Sequence, residues 1–171
     1  MSAGLNLRLI NDNLMNRLTT LIETSGWNDA GRSNSPVEVI NEDPDLEAPI
    51  EPNDNALIPN QVTLSIEGQR FFPGEIGSDL VEAQSVCIVD VFGENAATAL
   101  HLIGDITAEF KSPDRLDVYD LTQDPTPTDP MFYCNLDNFF SEKPHLQRDK
   151  SRKNWWVLSF VVERDTYASQ L

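Results

Sequence analysis

Apolar residues near the N-terminus recur at intervals of three and four positions, which is the spacing of one face of an α-helix. The stripe comprises Leu7, Ile10, Leu14, Leu18 and Leu21, with Met15 and Ile22 widening it. The opposite, solvated side is expected to carry Asn11, Asn13, Asn16 and Arg17. Asn6 is placed to cap the first turn, and Gly26 suits the end of the helix. The pattern therefore predicts an amphipathic helix that packs on another layer of the fold.

A second helix is predicted from the segment ENAATALHLIGDITAEF, residues 94–110. Its apolar stripe is expected to comprise Ala96, Leu100, Ile103, Ile106 and Phe110. Asn95 stands just before the stripe, where a side-chain oxygen accepts hydrogen bonds from the first free backbone amides.

The other apolar segments have the two-residue period or the short continuous runs that are typical of strands. They are VTLSI (62–66), SVCIVDVF (85–92), LDVYDL (116–121), MFYCNLDNFF (131–140) and NWWVLSFVVERD (154–165). Only one strand–helix–strand unit occurs, and the other strands follow one another directly. This order favours an α+β fold, with a mostly antiparallel sheet of about five strands flanked by two main helices. A length of 171 residues fits a single domain, 1–171.

The last strand is apolar on both faces. One face carries Trp156, Leu158, Phe160 and Val162, which are predicted to form a core strand, and the other carries Trp155, Val157, Ser159 and Val161. A strand with one solvated face alternates apolar and polar residues more cleanly than this. Either the fold covers both faces with its own helices, or a neighbouring subunit covers one of them.

Residues 41–60 form a proline-rich acidic arm, NEDPDLEAPIEPNDNALIPN, with four prolines, six acidic residues and no basic residue. Proline removes a backbone donor and disfavours helix in the residue before it, so the arm is predicted to be a loop or an extended insertion. Its spaced apolar residues suggest that it docks on a surface, and a solvated acidic loop is the alternative.

Charge is unevenly distributed along the chain. The 28 acidic residues against 12 basic give a formal net charge of −16, which disfavours general binding to nucleic acid or anionic membranes. Yet residues 143–153, the basic segment, gather five cations: Lys143, Arg148, Lys150, Arg152 and Lys153. They are predicted to contact an acidic surface, for which Glu42, Asp43 and Asp45 of the acidic arm are candidates, or else phosphate. Unlike patches on one chain permit head-to-tail association. A soluble connection without a partner is the alternative.

The chain lacks the motifs of common catalytic and nucleotide-binding sites. Asp90, Glu94 and Asp105 are the best carboxylates for a metal-dependent enzyme, but no histidine or cysteine cluster accompanies them. We therefore expect no enzyme, no metal and no cofactor. Cys87 and Cys134 are expected to be buried, reduced thiols in a protein made in the cytoplasm, and no segment has the roughly 18 consecutive apolar residues of a membrane span.

The order of these features resembles that of the tail terminator proteins of long-tailed bacteriophages. Three stretches carry the resemblance: LNLRLINDNLMNRL in the first helix, VCIVDVFGENAATALHLIGDI, and NWWVLSFVVERD after a basic, polar loop. The acidic arm has no counterpart and is interpreted as an insertion.

The resemblance implies a structural virion protein of α+β fold that forms a homo-oligomeric ring, hexameric in that family. Such a ring caps the tail tube, ends tail elongation and presents a surface to the head–tail connector or stopper protein, while DNA passes through the channel without sequence-specific contact. Another neck protein, for head completion or stopping, is the nearest alternative. A metal-dependent enzyme and an intracellular adaptor whose acidic arm binds a basic partner are alternatives of other classes.

Overall fold

The computed structural model describes residues 6–28, 32–33, 36–41, 60–74, 77, 79–144 and 154–167. Within them the chain forms two helices and six strands. In chain order these are α1 (Leu7–Thr24), β1 (Val37–Ile40), β2 (Asn60–Pro73), β3 (Leu80–Phe92), α2 (Ala96–Lys111), β4 (Arg115–Val118), β5 (Phe132–Glu142) and β6 (Trp155–Tyr167).

The strands form one sheet in the order β1-β2-β3-β6-β5-β4. Strand β1 pairs with β2 in parallel, and the other four pairings are antiparallel. The predicted α+β class is confirmed. The sheet is nevertheless mixed, and it has one strand more than the five that the sequence predicts, because the four-residue β1 gives too short a periodic signal to recognise.

Both helices begin where the sequence predicts. Asn6 accepts a hydrogen bond from the Leu9 amide at 3.3 Å, and Asn95 accepts one from the Thr98 amide at 2.9 Å, so each asparagine satisfies a free amide of the first turn. The predicted stripe of α2 is wrong in its first two turns, because Ala96 and Leu100 are exposed. The buried face is shifted, and it comprises Thr98, Ala99, Leu102, Ile103, Ile106 and Phe110.

The two faces of the sheet differ in what covers them. On one, the core face, Cys87 lies opposite Phe160 and Val89 opposite Leu158. These four side chains are at most 1% exposed, and they belong to the same buried cluster as the apolar residues of both helices. The opposite face, the outer face, presents the intervening residues of each strand. Helices α1 and α2 therefore cover the core face and not the outer one.

Phe160 lies at the centre of the core. Its ring centroid is 5.1 Å from that of Phe110 on α2 and 5.4 Å from that of Phe139 on β5. Phe139 reaches the core face because β5 is irregular between Asp137 and Phe140, where Asn138 has a positive φ of 54°. An extra residue in a strand changes which way the next side chain points, so the irregularity supplies an aromatic ring to the core.

Two polar residues of α1 form hydrogen bonds that hold the helix near β4, at one edge of the sheet. Asn13, predicted on the solvated side, is only 6% exposed: its amide group donates to the Tyr119 carbonyl at 2.8 Å and accepts from the Tyr119 amide at 3.1 Å. The Tyr119 backbone is thus bound by a side chain, and β4 ends at Val118, before the predicted 121. Arg17 pairs with Glu109 at 3.0 Å and donates to the Pro113 carbonyl, also at 3.0 Å.

Most of two predicted segments lies outside the described residues. Of the acidic arm only Asn41 and Asn60 are described, and of the basic segment only Lys143, with the neighbouring Pro144. Neither helix that the structure describes is both long and apolar enough to cross a membrane.

Candidate interaction surface

The residues predicted to make subunit or tube contacts fall largely beyond the described parts of the chain. Lys143 is exposed directly after the end of β5. The others that lie outside the described residues are Arg148, Lys150, Arg152, Lys153, Glu42, Asp43 and Asp45. The core strand is placed as predicted for Leu158, Phe160 and Val162, which are fully buried, whereas Trp156 is half-buried at the edge of the core.

The carboxylates considered for a metal-dependent enzyme have separate structural roles. Asp90 accepts a hydrogen bond from the Trp155 indole at 2.7 Å. Asp105 accepts one from the Trp27 indole at 3.0 Å and pairs with Arg32 at 2.9 Å. Among the described residues, no group of three or more His, Cys, Asp or Glu side chains is arranged to hold a metal ion.

The outer face is apolar along its centre although neither helix covers it. Register places Val86 opposite Val161, Ile88 opposite Ser159 and Asp90 opposite Val157 on the two central strands. Val86 is 39% exposed, and Ile88, Val157 and Val161 are half-buried. Phe140 adds a 59% exposed ring from β5. Apolar residues in the middle of a sheet are normally covered by another layer, so this face has the character of a contact surface.

The two ends of the outer face differ chemically. At the end where β6 begins, the Trp155 ring stacks on Phe92 at a centroid distance of 5.5 Å, and Phe92 is 2% exposed. Toward the end of β6 the outer face holds a groove of about 430 Å³ whose lining includes Val86, Val161, Gln84, Glu67 and Arg70. Register places four further carboxylates on the same face near it, and we call the groove together with them the acidic groove; its carboxylates are those of Glu67, Glu82, Asp137, Glu163 and Asp165.

Register brings these carboxylates together from three strands. Glu82 lies opposite Asp165 and Gln84 opposite Glu163, and Asp137 of β5 lies opposite Val161. Gln84 donates to both Glu82 and Glu163, the latter at 3.1 Å. The pKa of Glu163 is raised by partial burial and by the neighbouring carboxylates of Glu82 and Asp137, although the Gln84 hydrogen bond acts in the opposite direction. Negative charges are therefore crowded at the groove.

The two cysteine thiols have low reactivity. Cys87 and Cys134 are buried, and neither forms a disulfide, as the sequence predicts. Burial raises the pKa of each to about 12, and the proximity of Cys134 adds to the effect at Cys87. Since the thiolate is the reactive form, neither cysteine is suited to be a nucleophile or a redox switch.

Sequence reasoning missed the acidic groove because its carboxylates are far apart along the chain. Glu82 and Glu163 each stand near the end of an apolar strand, and they meet only through the pairing of β3 with β6. Polar residues at the ends of apolar strands are only a weak signal for such a cluster, because charged residues also occur there simply to keep a sheet soluble. The interpretation of this surface rests on its own chemistry, since no protein-family model matches the chain and no curated protein matches it.

Proposed function

We propose that this protein is a structural subunit of a homo-oligomeric ring, and that the ring caps the tail tube of a long-tailed bacteriophage. The observation that supports an oligomer is the apolar outer face. Its central strands β3 and β6 present four half-exposed aliphatic side chains, Val86, Ile88, Val157 and Val161. Each Å² of apolar surface that a partner removes from solvent contributes a favourable free energy of about 25 cal/mol, which is absent while these residues stay in water. Packing against a second copy recovers that free energy.

The tail terminator role is supported by the resemblance in the order of elements. A helix, a strand that leads into a second helix, and a closing apolar strand occur in the same succession here, in α1, β3 with α2, and β6. A ring that ends tube growth and presents a surface to the head connector needs shape and contacts and no reactive groups. A stopper or head-completion protein of the neck has similar requirements, so the assay must distinguish the two.

The oligomer is tested by sedimentation velocity and negative-stain electron microscopy of the purified chain, alone and with tail tubes. We expect a concentration-dependent ring. A Phe140→Glu variant places a charge on an exposed position of the outer face and should abolish the ring while leaving the fold intact. Leu100→Glu is the matched control, because Leu100 is exposed at 49% on α2, away from that face. Rings that survive Phe140→Glu, or a wild-type protein that stays monomeric with and without tubes, would refute the proposal.

The position in the virion is tested by complementation. A phage that lacks the gene for a terminator should accumulate tails of irregular length, whereas a phage that lacks a stopper should release DNA from filled heads that carry no tail. The first phenotype, corrected by this protein in trans, is the expected result. The second would assign the chain to the head side of the neck.

A further inference from the structure

We infer that subunits join edge to edge: the free edge of β5 in one copy pairs with the free edge of β2 in the next, and one sheet continues from subunit to subunit. This inference rests on the proposed ring and specifies a contact that builds it. The occupant of each edge is a second copy of this chain, and both sides of the contact are formed by described residues.

The outermost strands cover only part of the edges beside them. Strand β1 pairs with residues 60–63 of β2, and β4 pairs with residues 132–135 of β5. In the described part of the sheet, no strand pairs with the remaining edges, which are residues 64–73 of β2 and 137–142 of β5. Such free edges present backbone N–H and C=O groups that can pair with another chain.

Both free edges extend beyond the part of the sheet that the helices cover. The side chains from Arg70 to Pro73 and from Phe140 to Glu142 are all exposed, whichever face of the sheet they lie on. Three phenylalanine rings are among them: Phe71 is 44% exposed, Phe72 42% and Phe140 59%. A strand that paired with either edge would remove part of this apolar surface from water.

The two free edges are complementary in direction and position. Three successive antiparallel pairings link β2 to β5, so these two strands run in opposite directions. When identical subunits stand side by side in the same orientation, β5 of one therefore meets β2 of the next as an antiparallel pair. Strand β1 covers the first residues of β2, and β4 covers the first residues of β5. In the antiparallel joint these covering strands lie at opposite ends and do not collide.

The irregularities of the two edges also match. The register of β2 shifts once, within Glu67–Arg70, and that of β5 shifts once, within Asp137–Phe140. An extra residue in one strand turns the following side chains to the other face. Because each edge has one such shift, a pairing that places core-face residues opposite each other before the irregularities also does so after them.

One register uses both free edges along their length. On the core side it places Phe71 opposite the half-buried Phe139, which forms an aromatic pair. On the outer side it places Glu67 opposite Glu142, and Arg70 lies diagonal to Glu142, where its charge offsets the repulsion of the two carboxylates. Since the joint uses two different edges, each subunit keeps a second edge for a further copy, and the contact propagates head to tail until a ring closes.

Disulfide trapping tests this register. Glu67→Cys and Glu142→Cys are made in separate full-length chains, mixed in equal amounts and oxidised. Core-face residues of β5 point their backbone groups at the edge, as the Leu136 amide does in donating to the Asp114 carbonyl at 2.8 Å. Outer-face residues therefore form the pairs without hydrogen bonds, whose Cα atoms lie about 4.5 Å apart, a separation that suits a disulfide. We expect a covalent dimer with one chain of each kind.

The controls separate this joint from other contacts. Within one subunit β3 and β6 lie between β2 and β5, about 14 Å in all at ~4.8 Å per strand spacing, so the two positions cannot be bridged inside a chain. Each cysteine variant oxidised alone should give no covalent dimer, because like edges do not meet. Glu67→Cys mixed with Asp165→Cys, an exposed position on β6 and not at an edge, should give none either.

Proline substitution tests the backbone contact independently. Ser141 lies between Phe140 and Glu142, whose backbones face β6, so its own amide faces the free edge. Ser141→Pro removes that amide and fills its place with the proline ring, so it should raise the dissociation constant of assembly at least about ten-fold in sedimentation velocity. Ser141→Ala keeps the amide and should assemble like the wild type.

The possible results distinguish the edge contact from the ring itself. Rings that form normally with Ser141→Pro, or that give no mixed disulfide, would overturn the edge contact while the proposed ring still stood. A disulfide in Glu67→Cys alone would indicate symmetric pairing of like edges and would also overturn the inference. A wild-type chain that never self-associates, with or without tail tubes, would overturn both.

Discussion

Replacing Phe160 with alanine is the most direct test of the core. The side chain is 1% exposed, and its ring lies 5.1 Å from that of Phe110 and 5.4 Å from that of Phe139. Burying a phenylalanine side chain contributes about 1.5–3 kcal/mol, and each aromatic pair adds about 0.5–1.5 kcal/mol. With partial collapse of the cavity, the free energy of unfolding should fall by about 3–5 kcal/mol, the range found for truncated core aromatics.

The matched control is Phe140→Ala, which removes the same ring from the same sheet. Phe140 is 59% exposed on the outer face, so the isolated subunit should lose less than about 1 kcal/mol. Urea titration at low protein concentration measures both variants, and the melting temperature of Phe160→Ala should drop by about 6–20 °C. If Phe160→Ala unfolded at the same urea concentration as the wild type, or if the two variants were equally destabilised, the assignment of core and outer faces would be wrong.

Two further predictions concern charged side chains. Arg17→Met should lower the free energy of unfolding by about 2–4 kcal/mol in urea titration, because it leaves Glu109 and the Pro113 carbonyl without their donor. The control is Arg115→Met: Arg115 is also paired but exposed, so its loss should cost below about 1 kcal/mol. Equal losses in the two variants would contradict this role of Arg17. Glu163→Gln should raise the melting temperature of the isolated subunit at neutral pH. A raised pKa means that the ionised form is penalised in the folded state, so this gain should fade as the pH falls through the raised pKa toward the usual glutamate value of 4.5. Below 4.5 the gain should be absent, and a gain that persists there would contradict the account.

Local signals in the sequence identified most of the elements. The caps Asn6 and Asn95 mark the starts of both helices, because an asparagine before an apolar stripe satisfies free amides whatever the rest of the fold does. The two-residue period identified β6 and its buried Leu158, Phe160 and Val162. These features depend on residues within a few positions of one another, which is why the sequence predicts them.

Features that depend on distant partners were missed or misplaced. Strand β1 exists as a strand through its parallel pairing with β2, 23 positions away in register. Asn13 looks like a solvated helix residue, but it is buried because the Tyr119 backbone, 106 positions away, needs a hydrogen-bond partner once β4 ends. Such long-range polar pairs carry no periodic signal in the chain.

The candidate surface divides in the same way. By itself the sequence determined that β6 is apolar on both faces and that cations concentrate in residues 143–153, since both are properties of contiguous residues. Only the tertiary structure decided that the helices cover one face of β6 and leave Val157 and Val161 half-exposed on the other. It also decided that Glu82, Asp137 and Glu163 become neighbours on the outer face, because strand register sets which residues of separate strands lie side by side.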